Sequence, residues 1–231
     1  VLAELGDEMD NAGKKKKLMR WFWCGVLGEL YGAANETRYA LDMTQVVDWI
    51  RGNGNEPRTV LDAHFSPSRL GTLRTRNSAA YKGVYALLME ERTRDWLSAT
   101  KIDFSSYFSE SIDIHHIFPV AWCEKNGIRR SEYNSIVNKT PLSGRTNRIV
   151  GGDAPSRYLE RLKKHAGVGD DEFEEILRSH AVDTEYMRRD DFNGFYADRR
   201  ERILRRIEDA MGKEIPRGEA PEEGEFFGEE E

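Results

Sequence analysis

"IDIHHIFPVAW", residues 112–122, is the stretch of the sequence that decides the fold. Two of the five histidines, His115 and His116, stand side by side between β-branched and aromatic residues, and Pro119 follows closely. Such residues favour a strand, and a proline has no N–H to donate to a sheet, so we expect one or two short strands that end at Pro119. A histidine pair inside such a run is buried packing, a metal site or part of a catalytic site.

Two asparagines follow the histidine pair. Asn138 lies in "SIVNKTPLSG", and Asn147 lies nine positions further along in "SGRTNRIVGG". Gly144 permits a tight turn before the second asparagine, which Arg145 and Arg148 flank. A strand, a loop and a short helix can hold a divalent metal against a phosphate if the strand supplies an imidazole base and the helix a second ligand. The order His, Asn, Asn therefore points to phosphodiester chemistry.

These motifs resemble the HNH nuclease superfamily, whose core is a ββα-metal unit, in the variant whose third letter is asparagine. More narrowly, "RWFWCGVLGELYG", "TRDWLSATKIDF", "IDIHHIFPVAW", "NKTPLSGRTNRI" and "FYADRRERIL" together resemble the C-terminal half of GmrSD-type modification-dependent (type IV) restriction enzymes, a bacterial phage-defence family. The resemblance covers about residues 14–211, and 113–149 are its specific part. It implies a mainly α fold with a small ββα-metal (HNH) nuclease unit embedded between helical regions.

The resemblance also implies a role for each residue of the motif. His116 is then the general base and Asn138 the residue that orients it, while His115 and Asn147 bind Mg²⁺ or Mn²⁺. A neutral imidazole, with an unperturbed pKa of about 6.5, can take a proton from water, and positioned base catalysis contributes roughly 10²–10⁴ in rate. An amide carbonyl can accept the other ring N–H. Two protein ligands leave room for phosphate and several waters, as Mg²⁺ requires.

One geometric difficulty accompanies these roles. Adjacent residues of a regular strand point to opposite faces, so His115 and His116 can serve one site only if the strand bends or ends there. We expect a bulge or a strand end close to Pro119. Other interpretations remain open: a hydrogen-bonded core histidine, a metal site at Cys123, and an assisting or merely exposed carboxylate at Asp113.

Charge is distributed unevenly along the chain. The formal net charge is −6, but residues 219–231 hold seven glutamates and no base, and without them 35 basic residues face 34 acidic ones. Residues 139–165 contain Lys139, Arg145, Arg148, Arg157, Arg161, Lys163 and Lys164 against Asp153 and Glu160. Local clustering of this kind is how a phosphate-binding surface appears in a sequence. We expect Lys139, Arg145 and Arg148 to contact double-stranded DNA.

Helical periodicity and composition predict the organisation of the chain. Helices are expected at 14–32, 36–52, 79–96, 154–166, 170–180 and 190–212. We divide the chain into an N-terminal helical region (1–100), an HNH nuclease core (101–168), a C-terminal helical layer (169–212) and a disordered acidic tail (213–231).

The remaining features restrict the class of protein. Cys24 and Cys123 lie far apart, which fits a reducing cytoplasm, and the most apolar stretch is too short and too charged for a membrane span. The chain begins at Val1, so we expect a piece of a longer protein. It contains no GxxxxGK[ST] loop, so the N-terminal NTPase or sensor domain that the resemblance implies is expected elsewhere in the full-length protein.

The expected function is metal-dependent DNA endonuclease activity in the restriction of modified or foreign phage DNA, by a cytoplasmic protein that forms a dimer if both strands are cut. Two alternatives belong to other classes. The first is a DNA-binding or protein-interaction module with an inactive nuclease fold. The second is an HNH-type nuclease toxin that acts on RNA or DNA.

Overall fold

A computed structural model describes residues 1–32, 36–75, 77–90, 93–102 and 112–217 of the chain. This part is mainly α-helical with a small two-stranded antiparallel sheet, which confirms the mainly α class predicted from the sequence. The helices are α1 Leu2–Leu5, α2 Ala12–Leu27, α3 Glu36–Arg51, α4 Arg58–Asp62, α5 Arg69–Thr72, α6 Ala79–Glu90, α7 Val120–Lys125, α8 Arg130–Tyr133, α9 Gly144–Val150, α10 Pro155–Ala166, α11 Asp170–Arg178, α12 Thr184–Arg188 and α13 Phe192–Met211. The strands are β1 Ile112–His116 and β2 Lys139–Ser143, and 3₁₀ helices cover Gly6–Asp10 and Ile136–Asn138.

Polar side chains cap two long helices that pack together. The side chain of Asn11 accepts hydrogen bonds from two main-chain N–H groups at the start of α2, and the side chain of Asp191 accepts one from Gly194 at the start of α13. Gly212 ends α13 in the left-handed region with φ of 59°, as its position after the last apolar residue predicts. These caps satisfy main-chain groups that a helix leaves without partners at its ends.

The helix predicted over 79–96 is shorter than expected. α6 covers Ala79–Glu90, and Arg94 instead forms an isolated antiparallel bridge with Lys101. The carboxylate of Asp95 accepts hydrogen bonds from the main-chain N–H groups two and three residues later, both at 3.1 Å. Such a local side-chain bond offers the backbone an alternative to the helix, which explains the difference.

The register of the sheet is regular. β1 pairs with β2 from Ile112 opposite Ser143 through His115 opposite Thr140 to His116 opposite Lys139. The expected bulge is therefore absent from this ladder. β1 instead ends at His116, which is the strand end that the sequence offered as the alternative. Residues 103–111, where a further strand was expected, lie outside the described part of the chain.

The buried apolar side chains form two clusters. The N-terminal cluster includes Trp23, Val46, Ile50, Leu73, Val84, Leu88, Ile136, Val137, Ile203, Leu204, Ile207 and Met211. The C-terminal cluster includes Trp96, Leu97, Ile117, Phe118, Leu142, Val150, Tyr158, Leu162, Phe173, Ile176, Phe192 and Phe195. α13 contributes its first half to the C-terminal cluster and its second half to the N-terminal cluster, so this one helix joins them.

The packing crosses the boundaries predicted from sequence. Trp96 and Leu97 belong to the C-terminal cluster although they precede residue 100, and Ile136 and Val137 belong to the N-terminal cluster. The first residues assigned to the tail also make contacts, because Lys213 donates to the carbonyl of Ala63 at 2.7 Å and Arg217 pairs with two glutamates of α13. Residues 218–231 lie outside the described part. Among the described helices, none combines the length and hydropathy needed to cross a membrane.

Candidate active site

The two faces of the sheet carry different histidines. His116 shares a face with Ile114 and Lys139, and Ile114 packs against the N-terminal cluster. His115 shares the opposite face with Leu142, which lies in the C-terminal cluster together with Val150 of α9. We call the first the base face (Ile114, His116, Lys139, Pro141) and the second the helix face (Asp113, His115, Thr140, Leu142). Because His116 ends β1, both imidazoles lie at the same end of the strand.

His116 is held as a neutral imidazole. Its Nε2 lies 3.3 Å from Oδ1 of Asn134, and its ring meets that of Tyr133 edge-on. An amide oxygen only accepts, so Nε2 carries the proton and Nδ1 carries the lone pair. Burial and the positive charge of Lys139 lower the pKa of His116 to about 4. The ring can therefore accept a proton at neutral pH without first losing one.

Lys139 does not reach towards solvent as predicted. Its side chain is buried, its Nζ donates to the main-chain carbonyl of Arg74 at 3.0 Å, and burial lowers its pKa to about 8. The base face of β2 is covered by the N-terminal region, so a side chain that points there is enclosed. The prediction that Lys139 contacts DNA is thus wrong for this structure. Its charge acts instead on the neighbouring imidazole of His116.

Asn138 is fully buried, and its side chain bonds main-chain groups rather than the imidazole. Its Oδ1 accepts from the N–H of Phe118 at 2.8 Å, and its Nδ2 donates to the carbonyls of Phe118 and Tyr133, both at 2.9 Å. Its own carbonyl accepts from Ile117 at 2.8 Å. The direct bond to His116 that we expected is therefore not formed. Asn138 can position His116 only through the backbone that follows it.

Asn134, which no sequence motif singled out, is the residue beside the imidazole. It ends the short helix α8, four positions before Asn138. No spacing rule separates it from the other asparagines of this segment, because its place depends on how α8 packs beside the end of β1. Only the folded structure identifies it.

His115 presents an unusual imidazole on the helix face. Its Nε2 is buried and has no hydrogen-bond partner among the described residues, and burial lowers the pKa of the ring. A buried polar atom without a partner costs about 1–3 kcal/mol, so each case requires an explanation. A neutral ring nitrogen of this kind is a common metal ligand. The helix face also leads towards α9, which carries Asn147.

Asn147 and its two neighbouring arginines lie on α9. The side chain of Asn147 is partly buried and makes no hydrogen bond within the described part of the chain. Arg145 and Arg148 are exposed, and no described carboxylate pairs with either guanidinium. An amide oxygen and two cations are thus available to a ligand on the same short helix.

Asp95 fixes α9 against the sheet. Its carboxylate accepts hydrogen bonds from the N–H of Ser143 at 2.8 Å and from the hydroxyl of Thr146 at 2.6 Å. Burial acts to raise the pKa of Asp95, but these hydrogen bonds outweigh it and lower the pKa. Ser143 in turn caps α9 through a bond from Thr146 N at 3.2 Å. Asp95 was missed in the sequence because it lies about fifty residues before the helix that it holds.

The rival metal site at Cys123 is not supported. Its thiol is buried and donates to the carbonyl of Phe118 at 3.5 Å, and burial raises its pKa to about 12. The carboxylate of Asp113 is exposed and accepts from the adjacent N–H of Ile114. Across the described ranges, no three His, Cys, Asp or Glu side chains form a cluster that could hold a metal. The predicted ligands, the imidazole of His115 and the amide of Asn147, are only two in number and are not a cluster of that kind.

The structure places some of the predicted residues on or beside one small sheet and leaves others apart. His115 and His116 occupy the last two positions of β1, whereas α9 with Asn147 begins directly after Ser143, which pairs with Ile112 at the other end of that strand. Within the described residues, no hydrogen bond joins the side chains of His115, His116, Asn138 and Asn147 to one another. What they share is one small sheet and the segments that flank it.

Comparison with known proteins adds one relative. An uncharacterized protein of the archaeon Methanocaldococcus jannaschii is 27% identical over 209 residues, which cover 86% of this chain and 33% of the relative. The chain thus spans about a third of the length of the curated relative that it matches. No family model matches the chain, and no solved structure matches it. The relative's description states no activity.

Proposed function

We propose that the protein is an HNH-type endonuclease that hydrolyses phosphodiester bonds of DNA with Mg²⁺ or Mn²⁺, and that it acts in the restriction of modified or foreign phage DNA. One observation carries the proposal. A histidine pair ends β1, and its antiparallel partner β2 leads directly into a helix with Asn147 and two arginines that no described carboxylate neutralises. This order of elements and side chains is the one that the resemblance to HNH nucleases implies.

His116 is the general base in this proposal. Its Nδ1 takes a proton from a water molecule, the water oxygen attacks phosphorus, and the bond from phosphorus to the 3′ oxygen breaks. The leaving oxygen takes a proton from solvent, which gives a 5′ phosphate and a 3′ hydroxyl. The low pKa of the ring keeps Nδ1 free at neutral pH. Asn134 fixes the tautomer by accepting the proton on Nε2. The buried charge of Lys139 disfavours protonation before the reaction.

His115 and Asn147 fit the requirements of metal ligands. Nε2 of His115 has no other described partner to lose, and the Asn147 amide is not engaged elsewhere in the described chain. They would hold a Mg²⁺ or Mn²⁺ ion, which neutralises charge on the phosphate oxygens and on the leaving oxygen. Arg145 and Arg148 would bind neighbouring phosphates of the same strand.

Two buried groups keep these residues in place. Asn138 ties the chain just after His116 to the start of β2, and Asp95 ties the start of α9 to the end of β2. The catalytic geometry therefore depends on hydrogen bonds to the main chain, which a side-chain motif does not reveal.

A supercoiled plasmid tests the proposal. With Mg²⁺ or Mn²⁺ the protein should convert it to open circles, EDTA should stop the reaction, and His116→Ala should lower the rate by roughly 10²–10⁴ while DNA binding is retained. His64→Ala, at an exposed histidine in the N-terminal region, is the matched control and should cut normally. Unchanged cutting by His116→Ala would refute the base. A wild-type protein that cuts RNA better than DNA would refute the substrate.

One active centre cuts one strand, so the number of protein copies on a duplex decides between a nick and a double-strand cut. At low protein concentration nicked circles should accumulate, and linear DNA should appear only where two copies meet on a duplex. A separate NTPase domain of the full-length protein would sense the DNA modification. This chain would be the part that cuts the DNA.

A further inference from the structure

Arg74 differs from the other arginines near the start of the chain. The described arginines before it form ion pairs: Arg20 with Glu56, Arg38 and Arg58 with Asp62, Arg51 with Glu8, and Arg69 with Glu29. Arg74 is exposed, and none of the described residues pairs with its guanidinium. A cation without a carboxylate partner keeps its full charge for a ligand.

The backbone of Arg74 lies beside the base face. The carbonyl of Leu73 accepts from Ile136 N at 2.9 Å, and the carbonyl of Arg74 accepts from Lys139 Nζ at 3.0 Å. Lys139 is paired with His116 across the sheet. The side chain of Lys139 therefore links the backbone of Arg74 to the strand position that pairs with His116. Arg74 and His116 are nevertheless far apart in the sequence.

Lys139 and Arg74 differ in which of them exposes its cation to solvent. Lys139 belongs to the local basic segment, but its ammonium is buried against the Arg74 carbonyl. The guanidinium of Arg74 is the cation that remains accessible to solvent beside it, and its charge contributes to the lowered pKa of Lys139. Arginine also stays charged throughout the physiological range and can bind a phosphate with two parallel N–H groups.

We propose that Arg74 binds a backbone phosphate of the DNA strand where the N-terminal region borders His116 at the end of β1, while Arg145 and Arg148 on α9 bind phosphates on the side of the helix face. This inference rests on the proposed function and assigns the N-terminal helical region a direct part in substrate binding. The strand then runs past the end of β1, held by cations on both sides of the bond to be cut. Positioning from two sides limits the motion of the scissile phosphate.

Binding of a duplex DNA oligonucleotide in EDTA, measured over a range of salt concentrations, tests the inference without cleavage. Arg74→Ala should weaken binding about tenfold and reduce the magnitude of the salt slope by about one. Arg145→Ala/Arg148→Ala should reduce the slope by about two, and the triple variant by about three. Arg58→Ala, an exposed arginine paired with Asp62, is the matched control and should bind like the wild type.

The outcomes separate this inference from the proposed function. If Arg74→Ala binds like Arg58→Ala while the α9 double variant is weakened, or if the wild type binds no duplex DNA, the inference is overturned. If Arg74→Ala weakens binding but the wild type never cuts with Mg²⁺ or Mn²⁺, the nuclease function fails and the DNA surface stands. Arg74→Lys is the control for a folding defect in Arg74→Ala, because it keeps the positive charge. Its salt slope should equal that of the wild type. A slope as low as that of Arg74→Ala would contradict a phosphate contact.

Discussion

The two faces of the β1–β2 sheet place neighbouring histidines in contrasting surroundings. On the helix face, the buried Nε2 of His115 has no partner among the described residues. On the base face, His116 has Asn134 at one ring nitrogen and the buried cation of Lys139 close by. The first imidazole has a buried ring nitrogen without a described partner, and the second is held neutral by burial and by the charge of Lys139. Strand alternation, which separates the two rings, is what gives them different surroundings.

A histidine pair is useful at a strand end for a geometric reason. In the middle of a strand the two side chains would be separated by the sheet itself. At the last two positions of β1 both rings lie at the end of the sheet, with α9 packed on the face of His115 and Asn134 beside His116 on the other face. Past this point the side chain of Asn138, rather than a strand partner's main chain, bonds the N–H and the carbonyl of Phe118.

The largest expected effect is a difference in metal dependence between the two faces. His116→Ala should lose roughly 10²–10⁴ in cutting rate, and added metal should not restore it, because the missing group is a base. His115→Ala and Asn147→Ala should instead need at least about tenfold more Mn²⁺ for half-maximal activity, because they lose a ligand. A titration of nicking rate against Mn²⁺ distinguishes the two cases.

His64→Ala provides the baseline for that titration, because this exposed histidine lies outside the sheet. If the variants at 115 and 116 show the same metal requirement, the two imidazoles do not have separate tasks and the contrast between the faces fails.

A smaller effect is expected at Arg199 of α13, which supports the segment between the two strands. It is fully buried, and its guanidinium donates to the carbonyls of Val137, Lys139 and His180. Burial lowers its pKa to about 9. Two of the three carbonyls flank Asn138, so Arg199 holds the residue that in turn fixes the backbone after His116.

Arg199→Ala should lower the free energy of unfolding by about 2–4 kcal/mol, because buried carbonyls lose their donors. Chemical denaturation measures this loss, and Arg205→Ala, at an exposed arginine of the same helix, should change stability by no more than about 0.5 kcal/mol. Arg199→Lys keeps the charge and should recover part of the stability. If Arg199 positions the base, the Lys variant should show a lower kcat with little change in KM. A normal kcat would make the residue purely structural.

The local features of the site could be predicted from the sequence. The β-branched and aromatic residues around His115 and the nearby Pro119 indicated a strand end, and the long helices followed from apolar periodicity. Asn147 was expected on a helix, and it lies on α9. Each of these predictions needed only residues close together in the chain.

The parts that were missed depend on contacts between distant segments. Lys139 looked like a surface base, but the sheet register turns it towards the N-terminal region, where it is buried. Asn138 was expected to touch the imidazole, but it bonds the main chain of Phe118. Asp95 and Arg199 act on segments about fifty to sixty residues away, and no spacing rule links such pairs before the fold is known.

The smallest expected effect concerns pH, and it compares His116 with a purely structural histidine. His180 is buried: its Nδ1 accepts from the Thr140 hydroxyl at 2.6 Å and its Nε2 donates to the Arg94 carbonyl at 2.7 Å. Burial lowers the pKa of His180 to about 3, and burial with the charge of Lys139 lowers that of His116 to about 4. Both values lie below the unfolded value of about 6.5.

The unfolded chain therefore binds more protons than the folded chain between about pH 6.5 and the folded pKa values. The contribution of these histidines to stability is complete above about pH 6.5 and falls as the pH falls through this window. Urea unfolding at pH 7 and at pH 4.5 should show the loss, and His116→Gln should make it smaller by on the order of 2 kcal/mol, allowing for the partial exposure of the ring. The rate of nicking should keep its plateau down to about pH 5. A rate that halves near pH 6.5 would mean that the imidazole of His116 is solvated like a free histidine, and the contrast between the two faces would lose its electrostatic basis.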